Sequence, residues 1–175
     1  RTFSAVPAVN GSSLIVGDYK NKLYSLDLQT GSIRWTFEDA KNRYIGGALV
    51  VEDTILAPNA DHKLYALDLN GNLKWTFEAK QALWSTPIAK DNVVYLSSMD
   101  HYLYAIDIRD GSLIWEVDLG GAIVYSPSFD TDTIFVATLS NEVVAVDANN
   151  GAIKWKNLAE SGLWSQPIYH EEIVY

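Results

Sequence analysis

The sequence predicts an all-β fold: a β-propeller with four full four-stranded blades and the start of a fifth. Three observations carry this. Trp35, Trp75, Trp115 and Trp155 recur every 40 residues, each four places after a glycine (Gly31, Gly71, Gly111, Gly151). A second marker keeps the same step, since Pro7, Pro87, Pro127 and Pro167 are in phase and Gly47 stands at that place in the second copy. Between the markers, segments of four to seven residues rich in β-branched and aromatic side chains alternate with Gly, Pro, Asn and Asp, and no 3.6-residue period is present.

The repeats run approximately over 7–46, 47–86, 87–126 and 127–166, with a partial copy at 167–175, and the whole of 1–175 is read as one partial propeller domain. The third copy serves as the pattern. Its strands are expected at Pro87 to Ala89, Val93 to Ser97, Tyr102 to Asp107 and Leu113 to Val117. The breaks between them, Lys90 to Asn92, Ser98 to His101 and Arg109 to Gly111, have the length of hairpin connections. Four antiparallel strands in such a length make one propeller blade. The second copy has one residue more before Leu64 and one fewer between Asp68 and Gly71, both in turn-like sequence that tolerates a length change.

Each repeat carries an apolar stretch ending in aspartate, at Asp27, Asp68, Asp107 and Asp147, followed by the glycine and then the tryptophan. The carboxylate can cap the turn after its strand, and the glycine supplies a positive φ there. An indole on the outermost strand suits a wedge between adjacent sheets, packed on a small residue such as alanine and close to a glycine. These twelve residues recur once per blade, as structural positions do and catalytic groups do not. Truncating one such tryptophan is expected to cost about 3 to 5 kcal/mol.

The stretch SLDLQTGSIRW (Ser25 to Trp35) resembles AxDxxTGxxxW, the tryptophan-docking motif of the pyrroloquinoline-quinone (PQQ) type propeller repeats, with Ser in place of Ala. AIDIRDGSLIW (Ala105 to Trp115) and AVDANNGAIKW (Ala145 to Trp155) match at Ala and lack the Thr, and ALDLNGNLKW (Ala66 to Trp75) is one residue short in the turn. The resemblance spans almost all of the chain. It implies a ring of seven or eight blades, of which this chain is an arc, and an extracytoplasmic setting, periplasmic or cell surface. It also implies one of two activities: a quinoprotein dehydrogenase for alcohols or sugars, or a catalytically silent scaffold similar to the outer-membrane-assembly lipoproteins. The dehydrogenases use a vicinal cysteine pair and a calcium site over their PQQ. This chain has no cysteine, and no residue of it matches the calcium site or the catalytic aspartate.

Composition narrows the partners. The absence of cysteine excludes a disulfide scaffold, a zinc–thiolate site and a thiol enzyme. A net charge of −9 with no basic patch disfavours nucleic acid and anionic membrane surfaces. The longest uncharged apolar runs, Ala48 to Val51 and Ala122 to Tyr125, are too short to span a bilayer, so no membrane insertion is expected. The chain opens at Arg1 without a leader, which reads as a processed protein or a piece of a longer one. Ser161 to Tyr175 repeats the phase of Arg1 to Ile15, so both ends carry an innermost strand. The missing blades of the same ring, another protein, or self-association through open blade faces would cover the two ends.

In a propeller the turn between second and third strands and the connection to the next blade open on one face. Those connections place Tyr44, Trp84, Val124 (with Tyr125 beside it) and Trp164 three residues before the proline phase, with Arg43, Lys41 and Lys80 in the same segments. Tyr44, Trp84, Tyr125, Trp164 and Arg43 form the candidate binding face; for Trp84 and Trp164 a wedge between blades is the leading reading and binding the second. His62 and His101, each preceded by Asp, share a phase with Asn21 and Asn141, which points to a positive-φ turn rather than a metal site. No catalytic or metal-binding residue is assigned, and no cofactor is expected outside the PQQ and calcium of the dehydrogenase reading. The leading expectation is a non-catalytic protein-interaction scaffold. A PQQ-dependent dehydrogenase and a ligand- or glycan-sensing module stay open beside it.

Overall fold

The computed structural model describes residues 5–171 and 173–175; residues 1–4 and 172, which belong to the two end stretches compared above, lie outside them. All regular structure among the described residues is strand, arranged as four four-stranded antiparallel sheets and one two-stranded sheet. The first sheet holds β1 (Ala8–Asn10), β2 (Ser13–Gly17), β3 (Leu23–Asp27) and β4 (Ile33–Phe37) in chain order. The second holds β5 (Leu49–Val51), β6 (Thr54–Pro58), β7 (Lys63–Asp68) and β8 (Leu73–Glu78). The third holds β9 (Ile88–Lys90), β10 (Val93–Ser97), β11 (Tyr102–Asp107) and β12 (Leu113–Asp118). The fourth holds β13 (Ser128–Asp130), β14 (Thr133–Ala137), β15 (Glu142–Asp147) and β16 (Ile153–Leu158), and β17 (Tyr169–His170) pairs with β18 (Ile173–Val174). In the third copy the two middle strands lie where the sequence puts them. The first is shifted by one residue, and the last runs one residue further.

The strands group into two compact units, Arg1–Thr86 and Pro87–Tyr175, divided at a repeat boundary. Burial follows strand position within each sheet. The middle strand β6 is buried along its whole length, whereas the outer strands β8 and β12 alternate between exposed and half-buried residues. That gradient is why the second and third strands read as continuous apolar runs and the fourth as an alternating one.

The small residue of the motif is the cross-strand partner of the tryptophan in every sheet: Ser25 opposite Trp35, Ala66 opposite Trp75, Ala105 opposite Trp115, Ala145 opposite Trp155. A β-bulge follows each of these pairs. The turn that follows carries the length difference of the second copy. Gly31, Gly111 and Gly151 donate their N–H groups to the carbonyl four residues back, whereas Gly71 donates to Asp68 three residues back. The deletion is thus absorbed inside one turn without changing the register of the strands.

Within the first unit, Ile15, Leu23, Phe37, Ile55 and Leu67 form a buried cluster, with Phe37 edge-on to Tyr65 at 5.3 Å. In the second, Leu103, Leu119, Ile123, Ile134 and Val146 do the same, and Tyr95 stacks on Phe129 at 5.8 Å.

The glycine at the proline phase of the second copy has a physical reason. Gly47 donates its N–H to Thr86 Oγ1 at 2.9 Å, which proline cannot do, and a Cβ there would lie 2.8 Å from the carbonyl oxygen of Val6.

Candidate functional site

The segments that join one sheet to the next are held against the turns between second and third strands, so within each unit these loops share a face. In the first unit, Lys41 N donates to Asp61 Oδ2 at 2.7 Å, Asn59 Nδ2 to the carbonyl of Asn42 at 2.8 Å, and Tyr44 N to the carbonyl of Asp18 at 3.1 Å. In the second, Ile123 N donates to Ser98 O and Leu139 N to Ala122 O.

Three buried or half-buried aspartates organise these turns. Asp18 accepts from Lys20 N, Lys22 N and the Tyr24 hydroxyl; Asp61 accepts from Lys63 N and the Tyr65 hydroxyl; Asp100 accepts from Tyr102 N and the Tyr104 hydroxyl. Sequence reasoning missed these pairs. The signal was an Asp-x-x-x-Tyr spacing at Asp61/Tyr65 and Asp100/Tyr104, disguised in the first repeat by a separation of six residues. Burial and the hydrogen bond to Asp61 push the Tyr65 phenol well above the ordinary tyrosine range, so it stays a donor.

The five candidate binding residues differ in exposure. Tyr44 is 1% exposed, and its ring occupies the space where Gly17 lacks a side chain. It is a core residue, which corrects the reading of it as a binding aromatic. Burial also holds its phenol far above the usual range. Trp84 and Tyr125 are half-buried, and the Trp84 indole N–H is sealed from solvent with no acceptor among the described residues. Arg43 is exposed, with its guanidinium over the Tyr19 ring at 5.6 Å. Trp164 is 84% exposed.

His62 and His101 adopt φ of 76° and 79°, and Asn21 and Asn141 of 68° and 62°, as expected for turn residues. Among the described residues no three His, Asp or Glu side chains converge at metal-binding distance.

The twelve motif residues are placed as follows. Trp35 Nε1 donates to the Leu69 carbonyl at 2.9 Å, and its ring lies on Gly71; Trp115 Nε1 donates to the Ala148 carbonyl at 3.2 Å, and its ring lies on Gly151. In both cases the glycine beneath the indole belongs to the following repeat. Trp75 is half-buried and Trp155 is exposed. Asp27, Asp68, Asp107 and Asp147 each accept, through Oδ1, the N–H two residues on. Arg34 and the Thr30 donors hold the Asp27 carboxyl below the usual carboxylate range, and Arg109 together with its own N–H lowers that of Asp107 to about 2.

A family model described as outer membrane protein assembly factor BamB matches residues 1–120 and 99–175. The chain belongs to this PQQ-type repeat family. Among solved structures, BamB from Moraxella catarrhalis superposes with a TM-score of 0.83 at 21% identity, over 94% of this chain and 55% of that one. Quinohemoprotein alcohol dehydrogenase from Comamonas testosteroni gives 0.79 at 17% identity, over 90% of this chain and 35% of the enzyme. Quinohemoprotein alcohol dehydrogenase ADHIIG from Pseudomonas putida HK5 gives 0.78 at 15%, over 90% and 34%. The BamB-family chain therefore spans about half the length of the BamB structure and about a third of the dehydrogenases. The superpositions show the fold, an all-β propeller type in which each four-stranded sheet is a blade. No curated protein matches the sequence.

Proposed function

We propose that the chain is a non-catalytic PQQ-like propeller acting as a protein-interaction or assembly scaffold outside the cytoplasm. The observation that carries this is the match to the BamB assembly-factor family over the whole chain. Its chemistry agrees. Two buried tyrosine hydroxyls of these turns are taken up by carboxylates, Tyr24 by Asp18 and Tyr104 by Asp100, and those bonds hold turns rather than poise a nucleophile or base. The dehydrogenase alternative needs a vicinal cysteine pair and an oxygen-rich calcium site over PQQ. Without a cysteine and without a convergent acidic set among the described residues, the groups present do not fit that cofactor, and no catalytic step is assigned to them. The twelve Asp, Gly and Trp motif residues serve blade docking under this reading.

The test is to incubate the protein with PQQ and calcium and follow dye-linked oxidation of alcohols and sugars. No turnover above the cofactor blank is expected, and substrate-dependent turnover would overturn the scaffold reading. Trp164 favours a second reading, a ligand- or glycan-sensing surface, because an indole 84% exposed can stack on a sugar ring. Titrating intrinsic fluorescence with an oligosaccharide library separates the two: saturable quenching lost in Trp164→Ala supports sensing, and unchanged emission removes it.

A further inference from the structure

Asparagine followed by glycine is the dipeptide in which a side-chain amide lies most open to attack by the next backbone nitrogen, because glycine has no Cβ to shield that nitrogen. The sequence holds three such pairs, Asn10-Gly11, Asn70-Gly71 and Asn150-Gly151. The fold treats them differently. Gly71 donates its N–H to the carbonyl of Asp68 at 3.1 Å. Gly151 donates to the carbonyl of Asp147 at 2.9 Å, and the Asn150 side chain is held as well, its Oδ1 accepting from Ala152 N at 2.8 Å.

Gly11 belongs to another kind of turn. It opens the two-residue connection between β1 and β2, closed by the pair of Asn10 and Ser13, and its φ is 56°. Among the described residues no backbone carbonyl accepts its N–H, and nothing lies within 4 Å of the place a Cβ would take. The open N–H is a property of the hairpin itself. Glu52, Asp91 and Thr131, at the same phase in the later copies, have φ of 51°, 53° and 35° and donate to no backbone carbonyl either. Those three also show that the turn accepts a side chain, so its backbone does not require glycine. Only the first copy places Asn before Gly there; the corresponding residues are Val51, Lys90 and Asp130.

We propose that Asn10 is a site of spontaneous deamidation and isoaspartate formation, selected by this turn. The Gly11 nitrogen, its proton taken by solvent base, attacks Cγ of Asn10. The new N–Cγ bond replaces the bond to the amide nitrogen, which takes up a proton and leaves as ammonia, and a succinimide ring closes. Water then cleaves one of the two ring C–N bonds: at Cγ it gives aspartate, at the backbone carbonyl it gives isoaspartate. Ammonia is lost and water gained, with no oxidation or reduction. Isoaspartate puts one more atom into the main chain at the residue paired with Ser13, which a two-residue connection has no slack to absorb. Aspartate instead adds a carboxylate to the cleft that Asn10 lines with Ser12, Ser13 and Arg34. The proposal is independent of the scaffold reading, since either can fail alone.

Reaction at the other two pairs requires hydrogen bonds to open first, one at Gly71 and two at Asn150-Gly151. At the usual net worth of such a bond, each slows the step about fivefold. Incubating the folded 175-residue chain at mildly alkaline pH in heavy-oxygen water, followed by peptide mapping with mass spectrometry, tests the order. Asn10 should convert about fivefold faster than Asn70 and about twenty-five-fold faster than Asn150. Its product should carry heavy oxygen and be a mixture of aspartate and isoaspartate. In urea the three rates should converge. Gly11→Glu, which copies Glu52 in its turn, should slow Asn10 and leave the other two unchanged, with circular dichroism confirming the fold. Equal rates in the folded chain, Asn70 or Asn150 leading, or aspartate as the sole product would overturn the proposal. So would indifference of a folded Gly11→Glu chain, or Asn10 intact in the folded chain after the urea-unfolded chain has converted.

Discussion

Alanine at Gly151 and alanine at Gly31 insert the same methyl into the same turn, and only one of them meets a tryptophan. Both glycines close a turn by donating N–H to the carbonyl of the preceding aspartate, at 2.9 and 2.8 Å, and their φ angles are 74° and 68°. A side chain in that left-handed region costs about 1 to 2 kcal/mol at either site. At Gly151 a Cβ would also lie 2.8 Å from Cε3 and 2.9 Å from Cδ2 of Trp115, whereas at Gly31 nothing lies within 4 Å. Moving an indole that is hydrogen-bonded to Ala148 adds the usual overpacking cost of about 1 to 3 kcal/mol. Gly151→Ala should therefore destabilise by about 2 to 5 kcal/mol and Gly31→Ala by about 1 to 2 kcal/mol.

Trp115→Ala closes the cycle. That truncation costs about 3 kcal/mol, the low end for a large core residue because the ring is half-buried. In its background Gly151→Ala should fall back to the strain cost alone, a coupling of about 2 kcal/mol. Urea denaturation followed by circular dichroism reads this as midpoint shifts at constant slope, at concentrations where the chain sediments as a monomer. Equal costs at the two glycines, or additivity of Trp115→Ala and Gly151→Ala, would show that the indole does not bear on the next repeat's turn.

Two further outcomes follow from named contacts. Gly47→Pro, which would restore the proline marker of the other copies, should destabilise by about 2 to 3 kcal/mol in the same assay, because it deletes the N–H donated to Thr86 and forces a Cβ against Val6 O; a neutral or stabilising result would refute this account of the glycine. The Asp107 carboxyl, held at about 2 by Arg109, has a folded value below its ordinary one near 4, so its contribution to stability is complete above about pH 4 and fades as pH falls toward 2. A carboxyl-resolved NMR titration should find that midpoint, and Arg109→Ala should raise it toward the ordinary value; an unchanged midpoint would sink the pairing.

The period, the blade and most strand ends were legible because each position is sampled four times, so an accident at one copy is outvoted by the other three. Val93–Ser97 and Tyr102–Asp107 were readable to the residue for this reason. The positive φ of His62 and His101 was legible through Asn at the same phase. What escaped were contacts between residues far apart in sequence. Nothing near Tyr44 says that Gly17 leaves room for its ring, and the spacing of Trp35 from Gly31 hides that the indole lies on Gly71 instead. The aspartate–tyrosine pairs escaped because the turn chemistry of Asp61-His62 and Asp100-His101 is sufficient by itself, and a hydroxyl four residues on, in the next strand, is brought to the carboxylate only by the fold.

A chain built this way shifts the burden of functional assignment onto departures from the repeat. Residues that recur once per copy do so as structural positions, and Trp35 and Trp115 are shown packing on the next repeat's glycine, so such residues carry little information about partners. The basic residue before the tryptophan shows the distinction. Arg34 bonds Ser12 and Ser13, Lys74 bonds Asp53 and Thr54, and Lys154 bonds Asp132 and Thr133, each tying the outer strand to the first turn of its own sheet. The third copy has Ile114 there, and a cleft of about 190 Å³ opens beside it, lined by Lys90, Asp91, Trp115 and Asn149. Lys90 reaches instead to the carbonyl of Thr131 and over the Phe129 ring at 4.7 Å, tying its sheet to the next rather than to itself. The third copy thus lacks the cation that braces a blade to itself and has in Lys90 one that bridges two, a departure from the repeat that the twelve recurring positions do not show.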